Sequence, residues 1–566
     1  MSRSTASGTV APERKTLLQE VHSDLSLRSF SKKELLALVV ISLCALNLCA
    51  AFQYGRVFEG DEIGTLRYLK ESPAYILTHF KTHLSMNYFI LVEKGVAWLC
   101  GKADWRLTLL PLAAAVAIIP LTASVALKFT GSTRTALVAA GLAAFNPYLL
   151  SWGPVIRSYS LLVAFSLLAI NEFFHWYRKR DWWSGGRCAV IVLVLLLIHL
   201  NGVYTVAFLI LLLAIETLSQ GWSGGRKFVW ESRTLWIPLS LAALAFTAAY
   251  WRLFPEIRKL TTEWGIDTPP TNMDYLPQLF ASYLGGGYFA FFVALPLLFG
   301  LWSATQERRA LLLLCLAIVL GPVLMSLRGI SIPTWTYARY LIFSLPLLLI
   351  FLAEGIDWLT KHLRMPGAAA IAAWGLTAIL ILGWSRDIYG QFVGRKNFPY
   401  ARVAEFLHAQ LQTGDLVVTD WHYAFTLSQF FDDAKTRILL PQNYFKKIAT
   451  RLDTPMSNRV FYITGRDTTK ERTIPVRQFR QIEVAILSGN APRQLLQEWR
   501  EVLLRRTGGH ISPTFQTDYQ ILALIEETIP SGQSPDRWRF LAERCRSQNP
   551  SVRYLPLQQL LKASGP

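Results

Sequence analysis

The chain has 566 residues, 52% of them hydrophobic, and a formal net charge of +19, with a mean hydropathy of +0.30. That apolarity excludes an ordinary soluble domain, because runs of about 20 apolar residues suit lipid better than a globular core. The positive charge does not mark a nucleic-acid binder: the basic residues lie between apolar runs instead of gathering in one basic module, as membrane proteins arrange them.

Residues 1–34 form a polar tail whose Arg28, Lys32 and Lys33 abut the first apolar run. No small-residue cleavage site follows that run, so it reads as a retained span and not as a signal peptide. Apolar runs lie near 35–54, 107–127, 135–152, 158–177, 188–201, 203–218, 234–251, 280–302, 310–327, 340–357 and 366–385, which gives about eleven helical spans. With the N-terminus cytoplasmic, the inner connections fall at 128–134, 178–187, 226–233, 307–309 and 361–364, and each carries Lys or Arg. This is the positive-inside bias. Residues 188–218 fix the topology. They are too long for one ordinary span and slightly short for two, and a polar break at His199-Leu200-Asn201-Gly202 offers a tight outer turn. A single tilted helix there would turn Arg226, Arg308 and Lys361 to the outside, so the charge rule selects the split.

The stretch 86–101 is apolar over only about 15 residues and carries Glu93 and Lys94, which suits a helix lying at the interface. The expected architecture is an α-helical polytopic membrane protein with a transmembrane domain at 35–385 and a first outer loop at 55–106. A soluble, extracytoplasmic α/β domain follows at 386–566. In that tail, Leu416-Val417-Val418-Thr419 and Val460-Phe461-Tyr462-Ile463 read as short buried strands, with helical patterns at 401–411, 423–431 and 492–504. The six cysteines show no paired metal-ligand spacing and read as small apolar residues. No cofactor follows from the sequence, and a divalent metal is left open.

The acidic group Glu59-Gly60-Asp61-Glu62 follows the first span on its outer side. One of these carboxylates can act as a general base or a metal ligand; the plainer alternative is that they cap a helix over 61–70. The same topology delivers several basic and polar groups to that face. Arg157 follows Asn146-Pro147 and heads the next span, His79 and His83 lie in the first loop, His199 and Asn201 sit at the outer turn, and Arg328 and Arg339 bracket another outer loop. Taken singly, each is better explained as a snorkelling residue at the end of a span, and His199 as a satisfied turn residue. Together they form a phosphate-holding set, because guanidinium groups make bidentate charge-assisted bonds to phosphate oxygens.

Gly60-Asp61-Glu62, then Asn146-Pro147-Tyr148 leading to Ile156-Arg157-Ser158-Tyr159-Ser160, then Ala338-Arg339-Tyr340-Leu341, occur in an order that resembles the GT-C superfamily of glycosyltransferases. Within it the likeness is to protein O-mannosyltransferases and bacterial lipid A aminoarabinose transferases. It covers roughly residues 35–385 and extends more loosely to Gly414-Asp415-Leu416-Val417-Val418 in the tail. The resemblance implies a polyprenyl-phosphate-linked sugar donor, with Asp61 as catalytic base, Glu62 as its neighbour, and Arg157 and Arg339 on the lipid phosphate; Arg328, by its place in the outer loop, is a further candidate for that phosphate. Tyr159, Tyr337, His79, His83, His199 and Asn201 are the candidate substrate contacts. The chain departs from the family by lacking a Pro-Pro pair after its first-loop histidines, and the Arg157 segment lacks the acidic pair that oligosaccharyltransferases place there for metal. The acceptor is a glycolipid, a polysaccharide or a protein hydroxyl; membrane lipids are the other partners, and nucleic acid is not expected. The expected location is a bacterial inner (plasma) membrane. A secondary transporter or flippase is the alternative from another class, since Gly285-Gly286-Gly287 and Pro296 permit the broken helices that transporters use. A non-catalytic sensor or scaffold, and within the enzymes an oligosaccharide ligase, complete the alternatives.

Overall fold

A computed structural model describes residues 29–53, 58, 60–79, 86–101, 105–219, 221–255, 275–285, 289–306, 338–361, 367–396, 400–419, 421–431, 438–439, 459–465, 476–479 and 482–487. The expected run at 310–327, the helical pattern at 492–504, and His83, Arg328 and Tyr337 lie outside these residues. The described residues fall into two compact units, one within 1–54, 68–256 and 268–392, the other within 55–67, 257–267 and 393–566.

In chain order the helices are α1 (Lys32–Gln53), α2 (Gly60–Leu69), α3 (Pro73–Thr78), α4 (Asn87–Cys100), α5 (Leu109–Thr130), α6 (Thr133–Phe145), α7 (Pro147–Trp152), α8 (Tyr159–Lys179), α9 (Trp182–Ile198), α10 (Gly202–Ser219), α11 (Gly221–Glu231), α12 (Arg233–Tyr250), α13 (Tyr275–Leu284), α14 (Phe289–Gln306), α15 (Leu345–Lys361, led by a 3-10 turn over Arg339–Ser344) and α16 (Ala368–Lys396). Six segments are long and apolar enough to cross a membrane: Lys32–Gln53, Arg106–Thr130, Tyr159–Lys179, Phe289–Gln306, Arg339–Lys361 and Ala368–Val393. Three shorter apolar helices, Thr133–Phe145, Trp182–Ile198 and Gly202–Leu218, accompany them. Large apolar side chains stand exposed along the outer helices, including Leu36 and Leu43 of α1, Phe291 and Leu298 of α14, and Ile371 and Leu382 of α16. Lipid is the solvent that tolerates such faces, and the chain is an integral membrane protein.

Two expected runs are each broken in two. The run at 135–152 divides at Asn146, whose Oδ1 accepts from the backbone N–H groups of Tyr148 and Leu149 at 3.0 Å each. Pro147, at the first helical position, then starts α7, so an Asn cap followed by Pro outweighs apolar continuity. The run at 280–302 divides at Gly285, whose φ of 95° lies in the left-handed region. The split of 188–218 is present: α9 ends at Ile198, α10 begins at Gly202, and turn bonds run from Gly202 N–H to His199 O and from Tyr204 N–H to Asn201 O. The helix at 86–101 is α4. Its Lys94 Nζ donates to the carbonyls of Leu69 and Glu71 at 2.7 and 2.9 Å. Glu93 packs inward instead of facing water, and burial pushes its carboxyl up to about 8, so near neutral pH it is largely protonated and adds no charge to the buried face.

Helix α15 is the hub of the first unit. Its most apolar stretch is 94% buried, against 22% for those of α1 and α16, which places α15 inside the bundle and the other two at its rim. Close approach to α14 depends on two glycines: a Cβ at Gly355 would sit 1.6 Å from the Pro296 carbonyl oxygen, and one at Gly300 would sit 2.0 Å from that of Phe351. Small residues at helix crossings substitute for the hydrophobic drive that lipid does not supply. Since both obstructing atoms are backbone, Gly355→Ala must push the two helices apart, and the expected loss is about 1–3 kcal/mol. A clear fall in detergent-solubilised melting temperature, measured beside a Gly390→Ala control with open space around it, checks this. The carboxylates at the far end of α15 are paired: Asp357 takes Arg134 and Lys361, and Glu354 accepts from Ser303 Oγ at 2.9 Å.

The second unit contains α17 (Tyr400–Gln410), β1 (Leu416–Thr419), α18 (Trp421–Leu427), β2 (Ile438–Leu439), β3 (Val460–Gly465), β4 (Val476–Phe479) and β5 (Ile482–Leu487). The sheet order is β2-β1-β3-β5-β4; β1 runs parallel to β2 and β3, and β5 runs antiparallel to β3 and β4. Tyr400, Val403 and Leu407 of α17 pack on Val417, Phe461, Ile463 and Val484 of the sheet. The Gly414-Asp415 pair has a local purpose. Gly414 adopts φ of 94°, and Asp415 accepts from Gln412 N–H at 2.8 Å and from Arg459 Nη2 at 2.7 Å, locking the entry of β1 to that of β3.

Candidate active site

Three helices of the first unit begin close together, and each brings a candidate residue at its start. Arg157 and Ser158 lead into α8, Asn201 precedes α10, and Arg339 opens the 3-10 turn that feeds α15. The Asn201 side chain donates from Nδ2 to the Tyr340 carbonyl at 3.1 Å, which ties the start of α10 to the start of α15. Helix starts carry partial positive charge and unfilled N–H groups, so their convergence favours an anion before any side chain is counted.

The side chains add to that field. Arg157 and Arg339 are buried, at 3% and 8% exposure, so each guanidinium is held within the protein and does not reach into open water. The Arg339 guanidinium lies 4.8 Å from the ring centre of Trp152 and 5.5 Å from that of Tyr159, with Tyr340 at 5.4 Å. These aromatic faces hold it by cation–π attraction and fix its direction. Trp152 in turn meets Tyr159 edge-on with ring centres 5.8 Å apart. Behind this wall, Asn146 Nδ2 donates to the Tyr283 carbonyl at 2.8 Å, and the Tyr283 hydroxyl donates to the Ala338 carbonyl at 2.9 Å. The residue that breaks the third apolar run therefore also braces the backbone next to Arg339.

His199 is the third polar member and is fully buried. Its ring lies 5.7 Å from that of Tyr159, and its Nδ1 accepts the Asn201 backbone N–H at 3.1 Å. Burial first, then the charges of Arg157 and Arg339, push the imidazole down to about 3. It is therefore a neutral ring at physiological pH, not a third cation.

The structure thus brings Arg157, Tyr159, His199, Asn201 and Arg339 together. His79 is not among them: it is exposed at the end of α3, stacked on Tyr75 with ring centres 4.1 Å apart. Asn87 donates to the carbonyls of Ile76 and His79 at 2.6 and 3.1 Å, a brace between α4 and α3. Asp61 and Glu62 lie in the first turn of α2, in the part of the chain assigned to the second unit, and Glu62 is buried. Sequence reasoning missed Trp152 as the platform for Arg339; its signal was an aromatic pair, Tyr148 and Trp152, at helical spacing just ahead of Arg157. Among the described residues, no three His, Cys, Asp or Glu side chains group as a metal site would require.

No family model and no curated protein matches the sequence. Solved structures do. ArnT from Cupriavidus metallidurans, bound to undecaprenyl phosphate, superposes with a TM-score of 0.51 at 14% identity, covering 79% of this chain and 97% of that one. The chain has the GT-C fold. The apo state of the same ArnT gives a TM-score of 0.49 at 14% identity over the same shares of the two chains. An oligosaccharyltransferase from Archaeoglobus fulgidus, in complex with zinc and sulfate, gives 0.45 at 13% identity over 75% of this chain and 67% of that one. The ordered motifs read from the sequence thus belong to a chain with GT-C architecture, and the convergent arginines occupy helix starts within it.

Proposed function

We propose that this GT-C protein is a membrane glycosyltransferase that moves a sugar from a polyprenyl-phosphate donor to an acceptor hydroxyl at the outer face of the membrane. The observation that carries this reading is the pair of buried guanidinium groups, Arg157 and Arg339, set at helix starts beside a neutral imidazole, His199, on which both charges act. A phosphate is the ligand that such a pair suits. Support comes also from the ArnT neighbour, which binds undecaprenyl phosphate.

In this mechanism the acceptor oxygen attacks the anomeric carbon while the bond from that carbon to the phosphate oxygen breaks. Asp61 takes the hydroxyl proton as the new bond forms. Negative charge grows on the departing lipid phosphate, where Arg157 and Arg339 stabilise it more in the transition state than in the ground state. The aromatic cage around Arg339 keeps the guanidinium oriented beforehand, so little reorganisation is needed at the moment of reaction. The topology that goes with this scheme has the N-terminus cytoplasmic and residues 386–566 extracytoplasmic. The expected cellular site is a bacterial plasma membrane.

A detergent assay tests the reading against transport. Purified protein mixed with a polyprenyl-phosphate sugar in micelles should release free polyprenyl phosphate when an acceptor extract is added. A transporter needs a sealed bilayer, so activity found only in liposomes, with the donor lipid left intact, would refute the transferase reading.

A further inference from the structure

His199 ends α9 in extended backbone, with φ of −154° and ψ of 123°, which turns its side chain away from the helix. Since Nδ1 accepts the Asn201 N–H, the ring proton of the neutral imidazole is on Nε2. That Nε2 is buried and has no hydrogen-bond partner among the described residues. Buried N–H donors are nearly always satisfied, and one left over in a cluster of ligand-binding groups calls for an acceptor from outside the chain. The groups that share its surroundings are Arg157, Arg339 and Tyr159. The two arginines are cations and cannot accept a hydrogen bond.

We infer that the Nε2–H of His199 donates to an oxygen of the same anionic headgroup that Arg157 and Arg339 hold, making it a third, uncharged anchor of the donor phosphate. The inference rests on the phosphate reading of this pocket and adds a residue role to it. A neutral donor has a definite advantage at this place. It fixes a direction on the tetrahedral phosphate, and unlike a third cation it adds no repulsion to two buried guanidinium groups. The link between α9 and α10 is built to present it: Asn201 sets the tautomer through its backbone N–H and ties the turn to Tyr340 through its side chain.

The test uses the full-length protein in detergent, with a short-chain polyprenyl phosphate and the matching uncharged polyprenol as probes. His199→Phe keeps the ring volume and removes the donor, whereas His199→Gln keeps an N–H near the Nε2 position. The expected result is that His199→Phe weakens polyprenyl phosphate binding about tenfold, the worth of one good hydrogen bond to a charged group. His199→Gln should stay within about threefold of the parent, and polyprenol affinity should be the same in all three. Equal phosphate affinity for His199→Phe and the parent, with Arg157→Ala losing it, overturns the role of His199 and leaves the phosphate reading intact. If Arg157→Ala also binds normally, the phosphate reading fails and this assignment falls with it. Should His199→Phe not fold, His199→Asn takes its place: its amide stops short of Nε2, and an affinity equal to that of His199→Gln rejects the assignment.

Discussion

Asp61→Asn is expected to abolish transfer while leaving the protein folded and able to bind the donor lipid. Asn keeps the size and hydrogen-bonding reach of Asp but cannot take a proton at neutral pH, so it removes the base and little else. General-base catalysis is worth roughly 10²–10⁴-fold, and the loss should lie in kcat with donor affinity nearly unchanged. Asp61 sits in the first turn of α2, where a carboxylate also suits the helix dipole. A purely capping role predicts a different result: Asn is as good a cap as Asp, so turnover would survive the substitution. Radiolabelled sugar transfer by purified Asp61→Asn, with wild-type turnover as the contrary outcome, separates the two.

Arg339→Ala is expected to lower kcat by about 10²–10³, or roughly 3 kcal/mol of barrier, as removal of one fixed donor from a developing oxyanion does elsewhere. Arg339→Lys should recover little of this. A lysine ammonium lacks the planar fork that makes two parallel bonds to phosphate, and it would not reproduce the guanidinium's cation–π contact with Trp152 at 4.8 Å. Arg157→Ala should give a loss of the same order. The double variant should lose less than the product of the single effects, because both groups act on one phosphate. Steady-state kinetics of the parent and the four variants, together with donor binding, distinguish lost transition-state stabilisation from lost affinity. If Arg339→Lys matched the parent, point charge alone would account for the site and the oriented-guanidinium mechanism would fail.

Much of the bundle was legible beforehand because lipid imposes a simple rule on sequence: a span must be long and apolar, and its flanking charges must sort by side. That rule located α1, α5, α8, α10 and α12 within a few residues, and charge placement divided 188–218 at the turn where His199 stands. The same rule was blind to Asn146 and Gly285, where a cap and a left-handed glycine outweigh hydropathy. In the tail, short apolar runs marked β1 and β3, but nothing in them foretold that β5 would insert between β3 and β4. Strand order is a matter of partner choice across the chain and leaves no local trace.

Residue types and their order were enough to single out Arg157, Arg339 and His199 as polar groups at the ends of apolar runs, and to suggest phosphate chemistry. Whether they share one pocket was undetermined, since 182 positions separate the two arginines in the chain and only helix packing decides what meets across such a distance. The charge state of His199 was likewise invisible. A histidine read by itself titrates near pH 6.5, whereas this one, buried beside two guanidinium groups, stays neutral because desolvation and like charge both oppose its proton.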